Sequence, residues 1–335
     1  MKSLASSVSV VIPNWNGREH LPVCLNSLSD QTYKDFEVIL VDNGSSDDSL
    51  SYVREHHPHV RIIALQANVG FAKGVNTGIQ SSDSEFIALI NNDIELEPDW
   101  LAHLVHVLQS HAEVVTVTGK MLNYYHRDTI DAAGDELSLN GNAGCRGYGE
   151  KDGAYYDAQC YVFGACAGAA VYRRSLFVDV GLFDEDFFAW YEDVDLDLRI
   201  QLRGGKCMYV PLARCYHKRG GTVKTSSPLF VRMITRNNLL YVTKNFPLLI
   251  IFLKSPRIIV SRVRTWVNHV KDGNGRAVLE ALGEYVWMLP ATLRKRQRNL
   301  AARTVSLRYV ASLFTLPAYR LSRKAGRSSG QTNEK

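Results

Sequence analysis

Two acidic positions, one hundred residues apart, carry the clearest chemical signal in this sequence. Asp93 follows the apolar run Phe86–Ile90 and so stands at the end of a predicted strand. A carboxylate there suits a hard divalent cation, Mg²⁺ or Mn²⁺, which keeps water and substrate phosphates among its ligands. Asp193 lies in the first turn of a predicted helix, where the helix dipole favours the ionised form and keeps the carboxylate available as a general base. The two positions therefore predict a site that holds a metal diphosphate on one side and a base on the other.

The predicted helix begins at Trp190 and is strongly acidic. Asp195 and Arg199 are four residues apart, a spacing that favours an ion pair and a structural role. Because Asp193 follows a group of aromatic residues, we expect it to project into a cleft. Its neighbours Trp190 and Glu192 are assigned to the acceptor side of that cleft.

Short apolar segments alternate with helical patterns over the first 110 residues. The predicted strands are Val8–Pro13, Phe36–Asp42, Val60–Leu65 and Phe86–Ile90, and the predicted helices are Leu21–Leu28, Asp48–His56, Ala72–Ile79 and Trp100–Ser110. Such alternation predicts an α/β fold in which a mostly parallel sheet is flanked by helices. Residues 123–160, rich in Gly, Asn and Tyr, predict a long irregular excursion over the site.

Asn or Asp residues follow each of the four predicted strands. They are Asn14 and Asn16, then Asp42, then Asn68, and finally Asn91, Asn92 and Asp93. In open α/β sheets, ligands bind beyond the carboxyl ends of the strands. We therefore expect these side chains to meet at one edge of the sheet and to form a binding surface.

The turn Val41–Ser49 contains a candidate contact for a nucleobase. The carboxylate of Asp42 could accept the imide N–H of uracil or thymine. The alternative is a helix-capping loop, because Ser45 and Ser46 are good N-cap residues.

The segment Asn68–Gly78 places glycines around a predicted helix start. Gly70 would permit close approach of a nucleotide, and Lys73 could reach a phosphate. The segment is neither a Walker loop nor a GxGxxG fingerprint, so it is a weak signal on its own.

Charge is distributed unevenly along the chain. Residues 1–217 contain 16 Lys and Arg against 30 Asp and Glu, whereas residues 218–335 contain 23 against 4. This split predicts two units with different partners, a larger domain over residues 1–225 and a basic, mainly helical region over residues 226–335. In the basic region, apolar runs such as Phe246–Leu253 fit an anionic membrane surface better than a nucleic acid. No run reaches the ~20 apolar residues needed to span a bilayer.

The cysteines and the N-terminus bear on the compartment. The six cysteines form no CxxC pair, which predicts buried, reduced thiols. The segment Met1–Ser7 lacks an apolar signal core. We expect a cytoplasmic protein that associates peripherally with the inner face of the cytoplasmic membrane.

Taken together, these motifs resemble the inverting family 2 glycosyltransferases of the GT-A fold, and most closely their rhamnosyltransferase-like branch. The resemblance covers about residues 7–220. The matching segments are Val10–Gly17, Val41–Asp47, Asn68–Gly78, Leu89–Asp93 and Gly181–Arg199.

The resemblance implies a nucleotide-sugar donor whose base contacts Asp42 and whose diphosphate meets a cation on Asp93. It also implies that Asp193 deprotonates the acceptor hydroxyl and that His217 completes the metal shell. One departure is Asn91, where the family's metal motif begins with Asp, so fewer negative charges would surround the cation. The residues assigned to the nucleotide-sugar surface are Pro13, Asn14, Asn16, Asp42, Asn68, Gly70, Lys73, Asn76, Asn91 and Asn92.

The resemblance implies transfer of L-rhamnose from dTDP-rhamnose to a glycan or polyprenyl-linked glycan in cell-surface polysaccharide synthesis. Galactofuranose or a hexose from a UDP donor is the alternative. Sugar-nucleotide synthesis is a rival class, but it normally needs a glycine-rich basic loop where Asn14–Arg18 lies. A non-catalytic, membrane-bound nucleotide-sugar binding protein is another rival class. The predicted base, Asp193, argues against it.

Overall fold

A computed structural model describes residues 7–219 and 227–315 of the protein. Strands and helices alternate over the first 110 residues, as the sequence predicts. They are β1 (Val8–Asn14), α1 (Leu21–Ser29), β2 (Phe36–Asp42), α2 (Ser49–His56), β3 (Arg61–Ala64), α3 (Phe71–Gln80), β4 (Phe86–Ile90), β5 (Ile94–Leu96) and α4 (Trp100–Ser110). Predicted and observed bounds agree to about one residue, because the strands are short apolar runs bounded by turn residues.

The prediction of an irregular excursion over residues 123–160 is wrong in part, since short strands cross this region. The elements after α4 are β6 (Val114–Asn123), β7 (Ile130–Ala132), β8 (Asp135–Ser138), β9 (Ala143–Cys145), β10 (Cys160–Val162), β11 (Ala169–Arg173), α5 (Leu176–Asp179), α6 (Glu192–Leu202) and β12 (Lys206–His217). Single 3₁₀ turns lie at Ala154–Tyr156 and Glu185–Phe187. The described C-terminal elements are α7 (Pro228–Asn245), α8 (Leu248–Lys271), α9 (Gly275–Ala301), α10 (Leu307–Ser312) and β13 (Phe314–Thr315).

The main sheet has the strand order β10-β12-β6-β11-β4-β1-β2-β3. Its strands β4, β1, β2 and β3 are parallel, so their carboxyl ends reach the same edge. Antiparallel pairing enters where β11 lies between β4 and β6. The predicted α/β sheet flanked by helices is therefore confirmed, and the predicted ligand edge exists.

Side chains of β1 alternate between two apolar layers, which explains why helices cover both faces of the sheet. Val10 and Ile12 pack in the layer that contains Trp100 of α4. Val11 points the other way, into the layer that contains Leu196 of α6. Full burial of such a side chain stabilises the fold by about 1.5–3 kcal/mol.

The C-terminal helices pack on the sheet domain, and the predicted helical character of this region is confirmed. Phe246 and Ile250 share an apolar cluster with Val194 and Leu198 of α6. The predicted boundary near residue 225 lies outside the described residues. Within residues 7–219 and 227–315, no helix combines the length and apolar character required to cross a bilayer.

The segment that leads into α6 has an unusual backbone conformation. Phe188, Trp190 and Tyr191 have positive φ angles of 63°, 63° and 73°, a conformation that costs such residues of order 1–3 kcal/mol each. The fully buried side-chain amide of Asn237, in α7, donates hydrogen bonds of 2.8 to 2.9 Å to three carbonyl oxygens of this segment. As a result α6 begins at Glu192, two residues later than predicted.

Buried ion pairs fix α6 against the C-terminal helices. Asp195 pairs with Arg199 at 2.9 Å, as predicted, and also with Lys244 of α7 at 2.9 Å. Lys244 and Lys295 of α9 both contact Asp184 at 2.5 Å. Removing one partner of such a group would leave an uncompensated buried charge, so these contacts hold α6 in place.

Candidate active site

A chain of side-chain amides joins the ends of three parallel strands. The Nδ2 group of Asn14 donates to Asp42 Oδ1 at 3.0 Å, and Asn92 Nδ2 donates to Asn14 Oδ1 at 2.7 Å. Pro13 precedes them in β1 and is half-buried. A Cβ atom on Gly17 would lie 2.0 Å from Asn92 Nδ2, so a larger residue there would displace this chain of amides. The structure thus brings Asn14, Asp42 and Asn92 together, as the strand-end pattern predicts.

Asp42 also organises the turn that follows β2. It is 1% exposed and accepts hydrogen bonds from the Ser45 hydroxyl at 2.6 Å and the Ser45 N–H at 3.0 Å. Asn16 holds the same turn, because its Oδ1 accepts the Ser46 N–H at 2.8 Å. These hydrogen bonds stabilise the turn itself, but neither serine caps α2, whose N-cap residue is Asp48. Contact of Asp42 or Asn16 with a nucleotide stays a prediction.

The second glycine-containing motif lies against the strained segment before α6. Asn68 Oδ1 accepts the N–H of Gly70 at 2.9 Å. Gly70 has φ of 90°, and a Cβ atom there would lie 2.6 Å from the Phe188 ring, so the glycine is required by packing as well as by conformation. Lys73 is exposed, with its Nζ 4.0 Å from Glu185. Its contact with a phosphate stays a prediction.

Asn76, predicted to contact the nucleotide, has a structural role in the fold. It is 3% exposed, its Nδ2 donates to the Phe183 carbonyl at 2.8 Å, and its Oδ1 accepts the Phe183 N–H at 3.0 Å. Both polar ends of the amide are thereby used by one backbone position. Asn76 therefore fastens α3 to the segment before α6, and its contact with a nucleotide stays a prediction.

Asp93 and His217, the two predicted metal ligands, lie side by side. The Nε2 atom of His217 is 3.3 Å from Asp93 Oδ1, and its Nδ1 atom is 2.7 Å from Asp131 Oδ2. Asp131 is fully buried and its other oxygen pairs with Arg219. Sequence reasoning missed Asp131, because it lies in β7, within the region predicted to be irregular, and no local pattern marks it.

The two carboxylates alter the protonation of His217. Burial alone would lower the pKa of His217, but hydrogen bonds with Asp131 and Asp93 outweigh it and raise that pKa to about 9. Burial acts to raise the pKa of Asp93, yet the hydrogen bond from His217 keeps it below its usual range. At neutral pH this predicts an imidazolium between two carboxylates whenever no cation replaces the Nε2 proton.

The residues around Asp93 fit a divalent cation that takes most of its ligands from substrate and water. Asp93 and His217 Nε2 face each other, and Asp131 orients the imidazole through Nδ1, as second-layer carboxylates do at metal sites. The Oδ1 atom of Asn91 is buried without a hydrogen-bond partner, so an oxygen ligand is available despite the missing Asp. In the described parts of the chain, no group of three or more His, Cys, Asp or Glu could hold a metal ion.

Asp193, the predicted base, is held by one backbone N–H group at the start of α6 and by another in the loop before β11. Its carboxylate accepts the N–H of Val194 at 2.8 Å and the N–H of Ala167. Burial nevertheless raises the pKa of Asp193 above its usual value. Burial thus outweighs the expected effect of the helix N-terminus, which favours the ionised form, and a raised pKa suits a general base better.

The two predicted acceptor-side residues differ in exposure. Trp190 is half-buried, with its ring edge-to-face against Phe230 at 5.0 Å between centroids. Glu192 is 6% exposed and its Oε2 atom has no hydrogen-bond partner. Burial and the nearby Asp193 raise the pKa of Glu192 well above its usual value. This burial argues against a direct acceptor contact for Glu192.

The loop of residues 164–168 contacts both the predicted metal side of the site and the predicted base. The Gly168 carbonyl accepts the Asn91 N–H at 2.8 Å, next to the metal side. One residue earlier, the Ala167 N–H donates to Asp193. At the other end, a Cβ atom on Gly164 would lie 1.8 Å from Asp197 Oδ2, so the loop presses directly on α6. The proposed base, Asp193, and the strand end that carries Asn91 are therefore both in contact with one short, closely packed loop.

The sequence matches the profile of one protein family. The profile described as Glycosyl transferase family 2 matches residues 9–181, just over half of the chain. The uncharacterized glycosyltransferase YibD of Escherichia coli (strain K12) is 34% identical over 101 residues, 29% of this chain and 29% of YibD. The O-antigen biosynthesis protein RfbC of Myxococcus xanthus is 27% identical over 220 residues, 63% of this chain and 17% of RfbC. The matched parts thus span less than a third of either relative.

Comparison with solved structures supports the fold. The crystal structure of GalNAc-T7 with UDP, GalNAc and Mn²⁺ superposes with a TM-score of 0.55 at 17% identity, covering 72% of this chain and 50% of that protein. At this identity the likeness concerns the fold alone. It agrees with the profile match in confirming the predicted GT-A fold.

The raised pKa of His217 makes a prediction about stability. Because the imidazole has a pKa near 6.5 when unfolded and about 9 when folded, its contribution is complete below pH 6.5 and is lost as the pH rises through about 9. In the presence of a chelator, His217→Gln should therefore be destabilised by a few kcal/mol at pH 6 and by little at pH 10, measured by urea unfolding. The exposed His106 in α4 is the control, and His106→Gln should follow the wild type. A His217→Gln protein that keeps the wild-type pH dependence would contradict this account of the cluster.

Proposed function

This chain belongs to glycosyl transferase family 2, and we propose that it transfers a sugar from a nucleotide-sugar donor to a hydroxyl group of a glycan acceptor. The observation that supports the proposal most directly is the loop of residues 164–168. It joins Asp193, a carboxylate with a raised pKa, to the strand end that carries Asn91 and Asp93. A base and a candidate diphosphate site on one loop suit a direct transfer between donor and acceptor.

The proposed reaction is a single displacement with inversion. Asp193 accepts the proton of the acceptor hydroxyl while that oxygen attacks the anomeric carbon from the face opposite the nucleoside diphosphate. The new glycosidic bond forms as the bond between the sugar and the diphosphate breaks. Asp93, His217 and the free Oδ1 of Asn91 would hold Mg²⁺ or Mn²⁺, which supplies positive charge beside the departing diphosphate.

For the donor, we propose L-rhamnose from dTDP-rhamnose, on the strength of the rhamnosyltransferase-like motifs. Galactofuranose or a hexose from a UDP donor is the alternative within the same family. For the pathway, the similarity to an O-antigen biosynthesis protein supports cell-surface polysaccharide synthesis. The proposed acceptor is accordingly a glycan, free or linked to a polyprenyl carrier.

A lipid-linked acceptor agrees with the exposed face of α8. Ile250 and Ile258 pack inward, whereas the opposite side of the helix exposes apolar residues. These are Leu248, Leu249, Phe252, Leu253, Ile259, Val260, Val263, Val267 and Val270. Exposed basic side chains lie among them, at Arg257, Arg264 and Lys271. We propose that this face docks on the anionic inner leaflet of the cytoplasmic membrane and brings the cleft to its acceptor.

Replacement of the proposed base tests the chemistry. Asp193→Asn keeps the shape of the side chain but cannot accept a proton, so turnover should fall by ~10²–10⁴-fold. The dissociation constant of the nucleotide sugar should change little, because Asp193 lies on the acceptor side. Turnover with a defined acceptor and calorimetric titration of the donor measure the two quantities. Asp179→Asn, at an exposed position in α5, is the matched control. Near-normal turnover of Asp193→Asn would rule out the assignment.

The membrane proposal is best tested in the full chain, because a truncation near residue 225 would remove Asn237 and Lys244. We expect the wild type to sediment with phosphatidylglycerol vesicles, more strongly at low salt. The double substitution Phe252→Glu with Leu253→Glu places two carboxylates on the apolar face and should abolish sedimentation. Val178→Glu, at another exposed apolar position, should not. Equal sedimentation of the wild type and the double variant would contradict the proposal.

A further inference from the structure

Tyr148 lies on a tight, exposed turn near the candidate metal site. The turn begins at Gly147 and ends at Glu150, whose N–H donates to the Gly147 carbonyl at 3.0 Å. Gly149 has φ of 78°, as the third position of a type II turn requires. Gly147 also has a positive φ, of 80°, and a Cβ atom on it would lie 2.7 Å from the Tyr156 ring. The two glycines on either side of Tyr148 are therefore required by the backbone that presents it.

Backbone hydrogen bonds fasten this turn to β7. The Gly149 N–H donates to the Ile130 carbonyl at 2.9 Å, and the Ala133 N–H donates to the Arg146 carbonyl at 2.9 Å. The chain on both sides of Tyr148 is thus held against a strand of the main sheet. Tyr148 itself is 61% exposed, so a rigid support presents a large aromatic side chain to solvent.

Arg219 covers one face of the Tyr148 ring. The central carbon of its guanidinium group lies 4.3 Å from the ring centroid. The same guanidinium pairs with Asp131, whose Oδ2 atom is 2.7 Å from His217 Nδ1. The ring is therefore fixed next to the candidate metal site. Because one face is covered, the exposed area belongs to the other face and to the ring edge.

Strand order places Tyr148 away from the predicted nucleobase contact. The strand that holds its turn, β7, pairs with β6, whereas Asp42 ends β2, and β1, β4 and β11 lie between β2 and β6. Neighbouring strands are about 4.8 Å apart, so β6 lies roughly 19 Å from β2. Asp93 follows β4, between the two. A donor with its base at Asp42 and its diphosphate at Asp93 therefore leaves the Tyr148 side of the edge to the acceptor.

We propose that the open face of Tyr148 binds a pyranose ring of the acceptor glycan by stacking. The C–H groups on one face of a pyranose carry partial positive charge and are attracted to the negative face of an aromatic ring. Tyrosine offers this surface at a low cost in conformational entropy, and here the turn and Arg219 already fix the ring. The phenol hydroxyl can also hydrogen-bond with sugar hydroxyls. The identity of the saccharide as the acceptor rests on the proposed function, whereas saccharide binding by Tyr148 does not.

Tyr161, in β10, offers a matched control. It is 55% exposed, and its hydroxyl donates to Glu113 Oε1 at 3.0 Å. Glu113 directly precedes β6, so Tyr161 lies near the amino end of that strand. The candidate site lies at the opposite, carboxyl end, where His217 pairs with Asn123. Tyr161→Ala therefore removes an exposed tyrosine without touching the site.

Binding is tested by NMR saturation transfer from the full-length protein to methyl glycosides of glucose, galactose, N-acetylglucosamine and rhamnose. We expect saturation of the ring C–H protons of at least one glycoside with the wild type, with Tyr148→Phe and with Tyr161→Ala. The signal should be lost with Tyr148→Ala, because the stacking face is gone. A signal that persists in Tyr148→Ala, or no signal from any glycoside with the wild type, would overturn the proposal.

Kinetics then test whether the bound saccharide is the acceptor, with dTDP-rhamnose or a UDP-hexose as donor. Tyr148→Ala should raise the acceptor KM by roughly 10-fold, as expected for the loss of an aromatic anchor. The kcat, the dissociation constant of the donor and the Mn²⁺ dependence should change little, and Tyr148→Phe should restore the acceptor KM.

A purely structural role for the ring gives a different result. If Tyr148 only held Arg219 in place, Tyr148→Ala would shift the Mn²⁺ dependence and leave the acceptor KM unchanged, and this outcome would overturn the proposal. Weaker donor binding at an unchanged acceptor KM would overturn it as well. If the wild type transfers no sugar from either donor, the proposed function fails, while the saturation transfer still decides whether Tyr148 binds a saccharide.

Discussion

The buried amide of Asn237 is the contact on which the rest of the site depends. Three residues before α6 have left-handed backbone conformations, each with a cost of order 1–3 kcal/mol. Asn237 offsets this cost by donating hydrogen bonds to three carbonyl oxygens of the segment, those of Phe187, Ala189 and Trp190. The same segment stacks Phe188 over Gly70 and accepts the Ala72 N–H, so one strained turn orients both α6 and α3. The proposed base and the glycine-containing motif are thereby placed by a residue of the C-terminal helices.

Part of the uneven charge distribution has a structural role. Part of the basic excess after residue 217 neutralises acidic groups of the larger domain, as the contacts of Lys244 with Asp184 and Asp195 show. Lys295 adds contacts to Asp184 and Asp186. Other basic residues of the described C-terminal helices, such as Arg257 and Arg264 in α8, are exposed. The two predicted units are therefore also joined by electrostatics.

Local patterns in the sequence were sufficient for the elements and for the placement of several candidate side chains at one edge of the sheet. The apolar runs predicted β1 to β4 and their flanking helices, and the i,i+4 spacing predicted the Asp195–Arg199 pair. Contacts between distant positions had no such signature. Asp131 meets His217 across 86 residues, Asn76 meets Phe183 across 107, and Asn237 meets the turn before α6 across about 50. The sign of the Asp193 pKa shift also required the structure, because burial opposes the effect of the helix terminus.

The central claim is that the carboxyl ends of β1, β2 and β4 bind the nucleoside diphosphate and a cation, and that Asp193 faces them as the base. A crystal structure of the full chain with dTDP or UDP and Mn²⁺ tests this most directly. The account predicts Mn²⁺ bound to Asp93 and His217 and to the diphosphate, with the carboxylate of Asp193 facing the open side of the leaving group. A nucleotide bound away from this strand edge, or Asp193 with no open path to the diphosphate, would contradict it.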